Sequence, residues 1–303
     1  MKLVAPFPWY GSKRRVAREV WHYLGTDAGR YIEPFAGSLA VLLARPHVVG
    51  VEIVNDLNGY IVNVWRALKH APEETIGWAD DLRSESDLTA RHRWLVNEGA
   101  KRLREGLDND PEWYDAQVAG WWLYGASQWI GDGWCRNGLA GQHWVYVQNP
   151  YLGNQGIYVE PDGLRTGRTI SSHVYDLARA LQHRLARVIV CNGDWKRVCD
   201  SKTALRTMRG HTAVYLDPPY EGFADTYTSQ EVWDEVVDWC ERQRDPNVRI
   251  VLSGYEGARA PRGWREIAYK ARSAGTGEEN RLRERFWVSP TCGGQLGLDE
   301  VGS

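Results

Sequence analysis

The apolar run Ala213-Val214-Tyr215-Leu216 passes straight into Asp217-Pro218-Pro219-Tyr220, a junction that few folds accommodate. Four consecutive apolar residues read as a buried strand, and the prolines, with φ fixed and no N–H to donate, close it. A proline-rich turn accounts for the two prolines but not for the acid before them or the aromatic after. With proline near 5% of residues, a chance match is on the order of one in a thousand. Asp217 is therefore the first candidate for chemistry.

An α/β pattern surrounds this junction. Arg14 to Leu24 carries Val16, Ala17, Val20, Trp21 and Leu24 at helical spacing. Tyr31 to Phe35 reads as a short strand entering a turn at Gly37, and a helix begins over Leu39 to Leu43. Val48 to Val54 is a second strand, ending at Asn55-Asp56, and Tyr60 to Leu68 is helical. Strand, glycine turn, helix, and strand with an acid at its end follow the logic of a Rossmann-like half. The pattern resumes with a helix over Val174 to Leu185, strands at Arg187–Asn192 and Ala213–Leu216, and a helix over Val232 to Arg242. Further strands are expected at Val248–Ser253 and Arg285–Val288. Between the halves the chain changes character. From Ala71 to Gly120 it is charged and helical, and from Trp121 to Gly167 it is rich in glycine and tryptophan. Residues 1–69 and 168–303 are thus expected to form the catalytic domain, with 70–167 an inserted, mainly helical domain.

Composition sets limits on this organisation. A length of 303 residues suffices for a sizeable core. No apolar run approaches the roughly 18 residues of a membrane span, and the N-terminus lacks a signal-peptide pattern. Cys135, Cys191, Cys199, Cys240 and Cys292 are scattered, never in Cys-x-x-Cys spacing, which points to a reducing cytoplasm without a zinc site. The net charge of −2 leaves nucleic-acid binding to local basic patches such as Lys13-Arg14-Arg15 with Arg18, Lys101-Arg102 with Arg104, and Arg165 with Arg168. Each is equally a solvated face. Sixteen tryptophans stand against four phenylalanines, and five of them lie between Trp121 and Trp144. Their flat faces serve either a core or stacking on a base.

Two further segments carry polar groups in useful places. In Glu33-Pro34-Phe35-Ala36-Gly37-Ser38-Leu39, glycine lets the backbone approach a ligand. Asp56 follows that turn at roughly the 20-residue distance where a carboxylate receives ribose hydroxyls. Its alternative is a helix N-cap, a role that Asn58 fills equally well. At the N-terminus, Pro8-Trp9-Tyr10-Gly11-Ser12-Lys13 is either a clamp for a ligand carboxylate or an anchored terminus.

Taken in order, these segments resemble the Dam-type (D12 class) adenine-N6 DNA methyltransferases, including versions carried by bacteriophages. The resemblance rests on Trp9 to Lys13, Phe35 to Gly37, Asn55-Asp56, Gly193-Asp194-Trp195, Asp217 to Tyr220, and Tyr227 ten residues after the acid. It covers most of residues 4–69 and 173–290. It implies a Rossmann-like, S-adenosylmethionine-dependent methyltransferase sheet. By the same resemblance Trp9, Tyr10, Gly11 and Lys13 contact the amino-acid end of the cofactor, over the Phe35–Gly37 turn. Asp56 holds its ribose, and Asp194 and Trp195 flank its adenine with Tyr227 nearby. Asp217, Pro218, Pro219 and Tyr220 form the catalytic corner. The Asp217 carboxylate and the Pro218 carbonyl would accept the two N–H protons of an adenine amine, while Tyr220 stacks on a base rotated out of double-stranded DNA.

Departures from the family pattern are Leu39, where a second glycine is common, Ser12 in place of a paired glycine, and an insert that matches poorly. Within the insert Trp129, Trp134, Arg136 and Asn137 are candidates for base contact, with a tryptophan-packed mini-core as the alternative. The resemblance also implies a monomer or weak dimer in the cytoplasm of a bacterial or phage-infected cell, in a restriction–modification or phage setting, without metal. The rival functions are amino methylation of cytosine N4 or an RNA adenine, and a catalytically silent DNA-binding decoy.

Overall fold

The computed structural model describes residues 2–9, 11–48, 50–81, 85–128, 134–135, 172–200, 202–219, 226–269 and 284–293. Among the described residues seven strands form one mixed sheet: β1 (Arg30–Glu33), β2 (Val51–Asp56), β3 (Val188–Asn192), β4 (Thr212–Leu216), β5 (Val248–Tyr255), β6 (Arg265–Ala268) and β7 (Glu284–Val288). Their order is β3-β2-β1-β4-β5-β7-β6. β1 pairs in parallel with β2 and β4, and β4 with β5, while β7 runs antiparallel to β5 and β6. This is the expected Rossmann-like α/β sheet, with its switch point where β1 meets β4.

Two details differ from the sequence pattern. β2 begins at Val51 rather than Val48, because Gly50 (φ +78°) turns the chain there and leaves Val48 exposed. A Cβ at Gly50 would lie 1.9 Å from the Gly29 carbonyl oxygen, so only glycine fits. β6 carries no alternation, all four of its residues being exposed or half-buried, and it is a strand because β7 pairs with it.

The chain divides into two compact units, one of Met1–Ser12, Gly37–Leu39 and Asn55–Asp194, the other of Lys13–Ala36, Ala40–Val54 and Trp195–Ser303. These limits differ from those of the expected insert. The first unit contains α3 (Gly59–His70), α4 (Pro72–Ala79), α5 (Glu85–Trp94), a π-helical turn (Leu95–Gly99), α6 (Ala100–Asn109), α7 (Ala116–Ala126) and α8 (Ser172–Leu185). It takes in α3, α8 and β3 because α3 packs on α7, α8 and β3. α3 starts at Asn58, whose side chain accepts from the Tyr60 N–H, and α7 starts at Asp115, which accepts from Val118. α4 and α7 meet closely at Gly120, where a Cβ would lie 2.3 Å from that of Trp78. In the π-turn the Leu95 carbonyl accepts the Tyr60 hydroxyl at 2.6 Å. At the edge strand β3, Arg66 donates twice to the Val190 carbonyl (3.0 and 2.8 Å) and Lys69 donates to that of Val188 (3.1 Å).

The second unit holds α1 (Ala17–Leu24), α2 (Ala40–Leu43), α9 (Lys196–Cys199), α10 (Lys202–Leu205) and α11 (Thr226–Arg242) with strands β1 and β4 to β7. α1 buries Ala17, Val20, Trp21 and Leu24, a single apolar stripe, and all five residues of β4 are buried. An ion pair lies inside this unit. Arg45 (side chain 0% exposed) meets Glu52 (2%) at 3.0 Å and also donates to the Ala28 carbonyl.

Removing one partner of such a pair strands a buried charge. Glu52→Ala is expected to lower unfolding free energy in urea by about 3–5 kcal/mol, and Glu52→Gln by less. A loss below about 1 kcal/mol for Glu52→Ala would mean that water reaches Arg45.

Candidate active site

The turn after β1 is fixed at the peptide of Gly37. Its N–H donates to Asp56 Oδ2 at 2.8 Å, and its carbonyl accepts the buried indole N–H of Trp65 at 2.8 Å. A Cβ at Gly37 (φ +44°) would lie 2.6 Å from Trp9 Nε1, so the Trp9 indole lies against a bare backbone. Ser12 Oγ and Ser38 Oγ are 3.1 Å apart, so Ser12 ties the N-terminal segment to the turn. Phe7 packs between Trp9, Trp65 and Trp122, with ring centroids at 6.1, 5.5 and 5.3 Å. Leu39 is fully buried and holds φ at +52°, the left-handed region that glycine favours. The backbone thus keeps the shape a second glycine would give, while the side chain fills the interior.

Asp56 is held as firmly as the turn. Its Oδ1 accepts from the Asn58 N–H at 2.8 Å, and Asn58 rather than Asp56 caps α3. Burial pushes the Asp56 carboxyl above the usual range, against the backbone N–H groups of Asn58, Gly37 and Leu57, which pull it down. The Asp56 carbonyl accepts from Gly193 N (3.1 Å) and Asn192 Nδ2 (2.9 Å), and Asn55 Nδ2 donates to the Gly193 carbonyl (2.9 Å). These bonds fix the chain at Gly193, and Asp194 follows on the surface.

The second unit gathers another set of expected residues. Asp217 leaves the end of β4, followed by buried Pro218 and exposed Pro219. Lys13, only 5% exposed, places its ammonium 3.0 Å from Asp217 Oδ1. Glu33 ends β1, and its Oε2 accepts from the Tyr31 hydroxyl (2.9 Å) and the Leu42 N–H (3.2 Å). Burial raises the Glu33 carboxyl to about 8; the two hydrogen bonds oppose this, and the charges of Asp217 and Glu52 add to it. Phe35 and Trp195 lie 6.1 Å apart, their planes inclined by 33°. Trp195 is buried, and its indole N–H has no hydrogen-bond partner among the described residues.

Among the other candidates, Gly11 has φ +74° in the turn that leads to Lys13. Tyr10, Tyr220, Trp129, Arg136 and Asn137 lie outside the described residues, as does the side chain of Tyr227, which is in the first turn of α11. Trp134 is spent on packing. Its indole N–H goes to the Trp122 carbonyl at 3.0 Å, its ring is 5.2 Å from His92, and a Cβ at Gly125 would meet it at 1.8 Å. These contacts at Trp134 are of the kind that the mini-core alternative expects. Trp65 and Glu33 were missed as parts of the site. Trp65 sits at the i+7 position from Asn58 like any core residue, and Glu33 reads as the close of a strand. Among the described residues no group of three or more His, Cys, Asp or Glu could hold a metal, and no helix is long and apolar enough to cross a membrane.

Trp9, Lys13, Glu33, Gly37, Asp56 and Trp65 all fall in one stretch that similarity to known proteins singles out. Residues 9–98 match the D12 class N6 adenine-specific DNA methyltransferases. The match supports an adenine-specific DNA methyltransferase, as the resemblance implied. A search of curated proteins finds no match. Among solved structures, the rRNA methyltransferase aviRa from Streptomyces viridochromogenes aligns over 93% of this chain and 86% of that one, with 11% identity and a TM-score of 0.36.

The Glu33 carboxyl supplies a test of stability. Its value is about 8 in the folded chain against 4.5 for the free group, so folding takes up a proton between those values. Its contribution is full below about 4.5, falls as pH rises toward 8, and is level above. Thermal melts of the wild type and Glu33→Gln should therefore diverge, the wild type losing ground steadily from pH 5 to about 8. Parallel curves would mean that Glu33 is ionised when folded.

Proposed function

We propose that this chain transfers a methyl group from S-adenosylmethionine to N6 of an adenine rotated out of double-stranded DNA. The observation that carries the reading is Asp217, whose carboxylate leaves a wholly buried strand and is held at 3.0 Å by buried Lys13. An adenine amine is a weak nucleophile because its lone pair is shared with the ring. Acceptors on its N–H protons return that density to nitrogen. The Asp217 carboxylate is one acceptor and the Pro218 carbonyl the other, with proline fixing the backbone angle that aims it. Positioning and electrostatics supply the acceleration.

The chain's own residues suit a nucleoside donor. Gly37 presents bare backbone where a Cβ would clash, and buried Trp195 keeps an N–H without a described partner beside Phe35. In this reading Trp9, Tyr10 and Gly11 lie by the donor's amino-acid end over Phe35–Gly37, Asp56 receives the ribose, and Asp194, Trp195 and Tyr227 take the adenine. When bound, the sulfonium would supply an electrophilic methyl: N6 would form the new N–C bond, the S–C pair would stay on sulfur, and the N6 proton would pass by way of the Asp217 carboxylate to solvent. Pro219 makes the corner rigid, Tyr220 stacks on the target base, and Arg136, Asn137 and Trp129 are the proposed base readers. The activity is assigned to a bacterial or phage-infected cytoplasm on the resemblance alone.

Duplex DNA of mixed sequence, incubated with protein and methyl-labelled cofactor, should yield labelled N6-methyladenine, and Asp217→Ala should reduce this to background. Label in 4-methylcytosine, or cofactor binding with no label in any base, would overturn the assignment. A second measurement concerns the turn. Trp65→Phe keeps a ring but leaves the Gly37 carbonyl without its donor, a loss of about 1–3 kcal/mol. Calorimetry should then give weaker cofactor binding by about tenfold, with transfer at saturation retained. Unchanged affinity would remove Trp65 from the site.

A further inference from the structure

We infer that Lys13 is a positioning residue for the catalytic carboxylate, rather than a ligand of the cofactor's amino-acid end. The inference rests on the methyltransferase reading and assigns Lys13 a different partner within it. Two observations carry it. The Lys13 ammonium is 3.0 Å from Asp217 Oδ1, and the lysine side chain is 5% exposed against 20% for the aspartate. A lysine that reaches toward a soluble ligand keeps its head in water until the ligand arrives. Lys13 has already buried its head, against the acid that must act.

The local chain explains how it gets there. Gly11 adopts φ +74°, and the Ser12 N–H bonds back to the Trp9 carbonyl at 3.3 Å, closing a tight turn directly before Lys13. The Lys13 carbonyl then accepts from the Val16 N–H at 3.1 Å at the entry to α1. The lysine is fixed on both sides, so its stem starts from a defined place.

A carboxylate at a strand end has rotational freedom that no proline after it removes. Holding one oxygen fixes the plane of the group and the direction of its remaining lone pairs, which sets the approach of an N–H donor. The cation also offsets the cost of enclosing the anion beside Glu33, whose own carboxyl is kept neutral by burial. Loss of Lys13 therefore acts on turnover, through the orientation of Asp217.

The test compares Lys13→Met and Lys13→Ala with the wild type at saturating cofactor and duplex DNA. The inference predicts a fall in kcat of about tenfold to a hundredfold in both variants. Calorimetric Kd for S-adenosylmethionine should change less than about threefold. Propylammonium, which is the lysine side chain beyond Cβ, should restore kcat to Lys13→Ala but not to Lys13→Met. A large rise in Kd with kcat preserved would overturn the inference and return Lys13 to the cofactor. Urea unfolding of the protein without ligand provides a readout that does not depend on activity. Lys13→Met, Asp217→Asn and the double variant should be non-additive, and additive losses would count against the pairing. If the wild type transfers no methyl while the double variant is non-additive, the activity has failed and the ion pair stands.

Discussion

Gly37 governs the turn after β1 because both of its backbone polar groups are already committed. Asp56, from the end of the neighbouring strand, holds the N–H, and Trp65, from the helix that follows, holds the carbonyl. Trp9 then lies against the face that a side chain would otherwise occupy. A loop left to water would sample many shapes and lose that freedom on binding. Here the loss is taken at folding, when Trp65 and Phe7 are buried with it. Leu39 belongs to the same arrangement. Its left-handed backbone costs roughly 1–2 kcal/mol, and full burial of a leucine offsets a cost of that size.

A similar economy of charge marks the second unit. Asp217 and Glu33 end adjacent parallel strands, yet they are not two anions. One is paired with an ammonium and the other is held neutral at ordinary pH by burial. Burial that keeps one of two neighbouring carboxyls protonated lets both stand in one region. The arrangement leaves a single negative charge, on Asp217 beside Lys13.

Much of this was legible in residues 30–70 and 212–219. The strand–turn–helix alternation, the glycine at the turn and the acid after the second strand all stand in periodicity and spacing, and Asn58 stands there as one of two candidates for the helix cap, the one the structure uses. What escaped the sequence was pairing at a distance. Nothing at position 65 marks its indole as a donor to residue 37, and nothing at position 13 distinguishes a ligand-seeking lysine from one paired with residue 217. Leu39 reads as a departure from a glycine pattern because sequence records the side chain and not φ. The compact units are drawn along other limits than the expected insert for a related reason: a helix joins the unit it packs on, and α3 packs on α7 and α8 as well as on β3.

The lysine and arginine of α3 at the edge of the sheet have one more consequence. Val188 and Val190 are two residues apart, so their carbonyls point to the same side of the strand. Lys69 and Arg66 already occupy those carbonyls. An outer strand with its acceptors taken is a poor template for a stray chain, even though Ile189 between them is half exposed. The margin of the fold is thus guarded against amyloid-like recruitment by two cations from its own third helix.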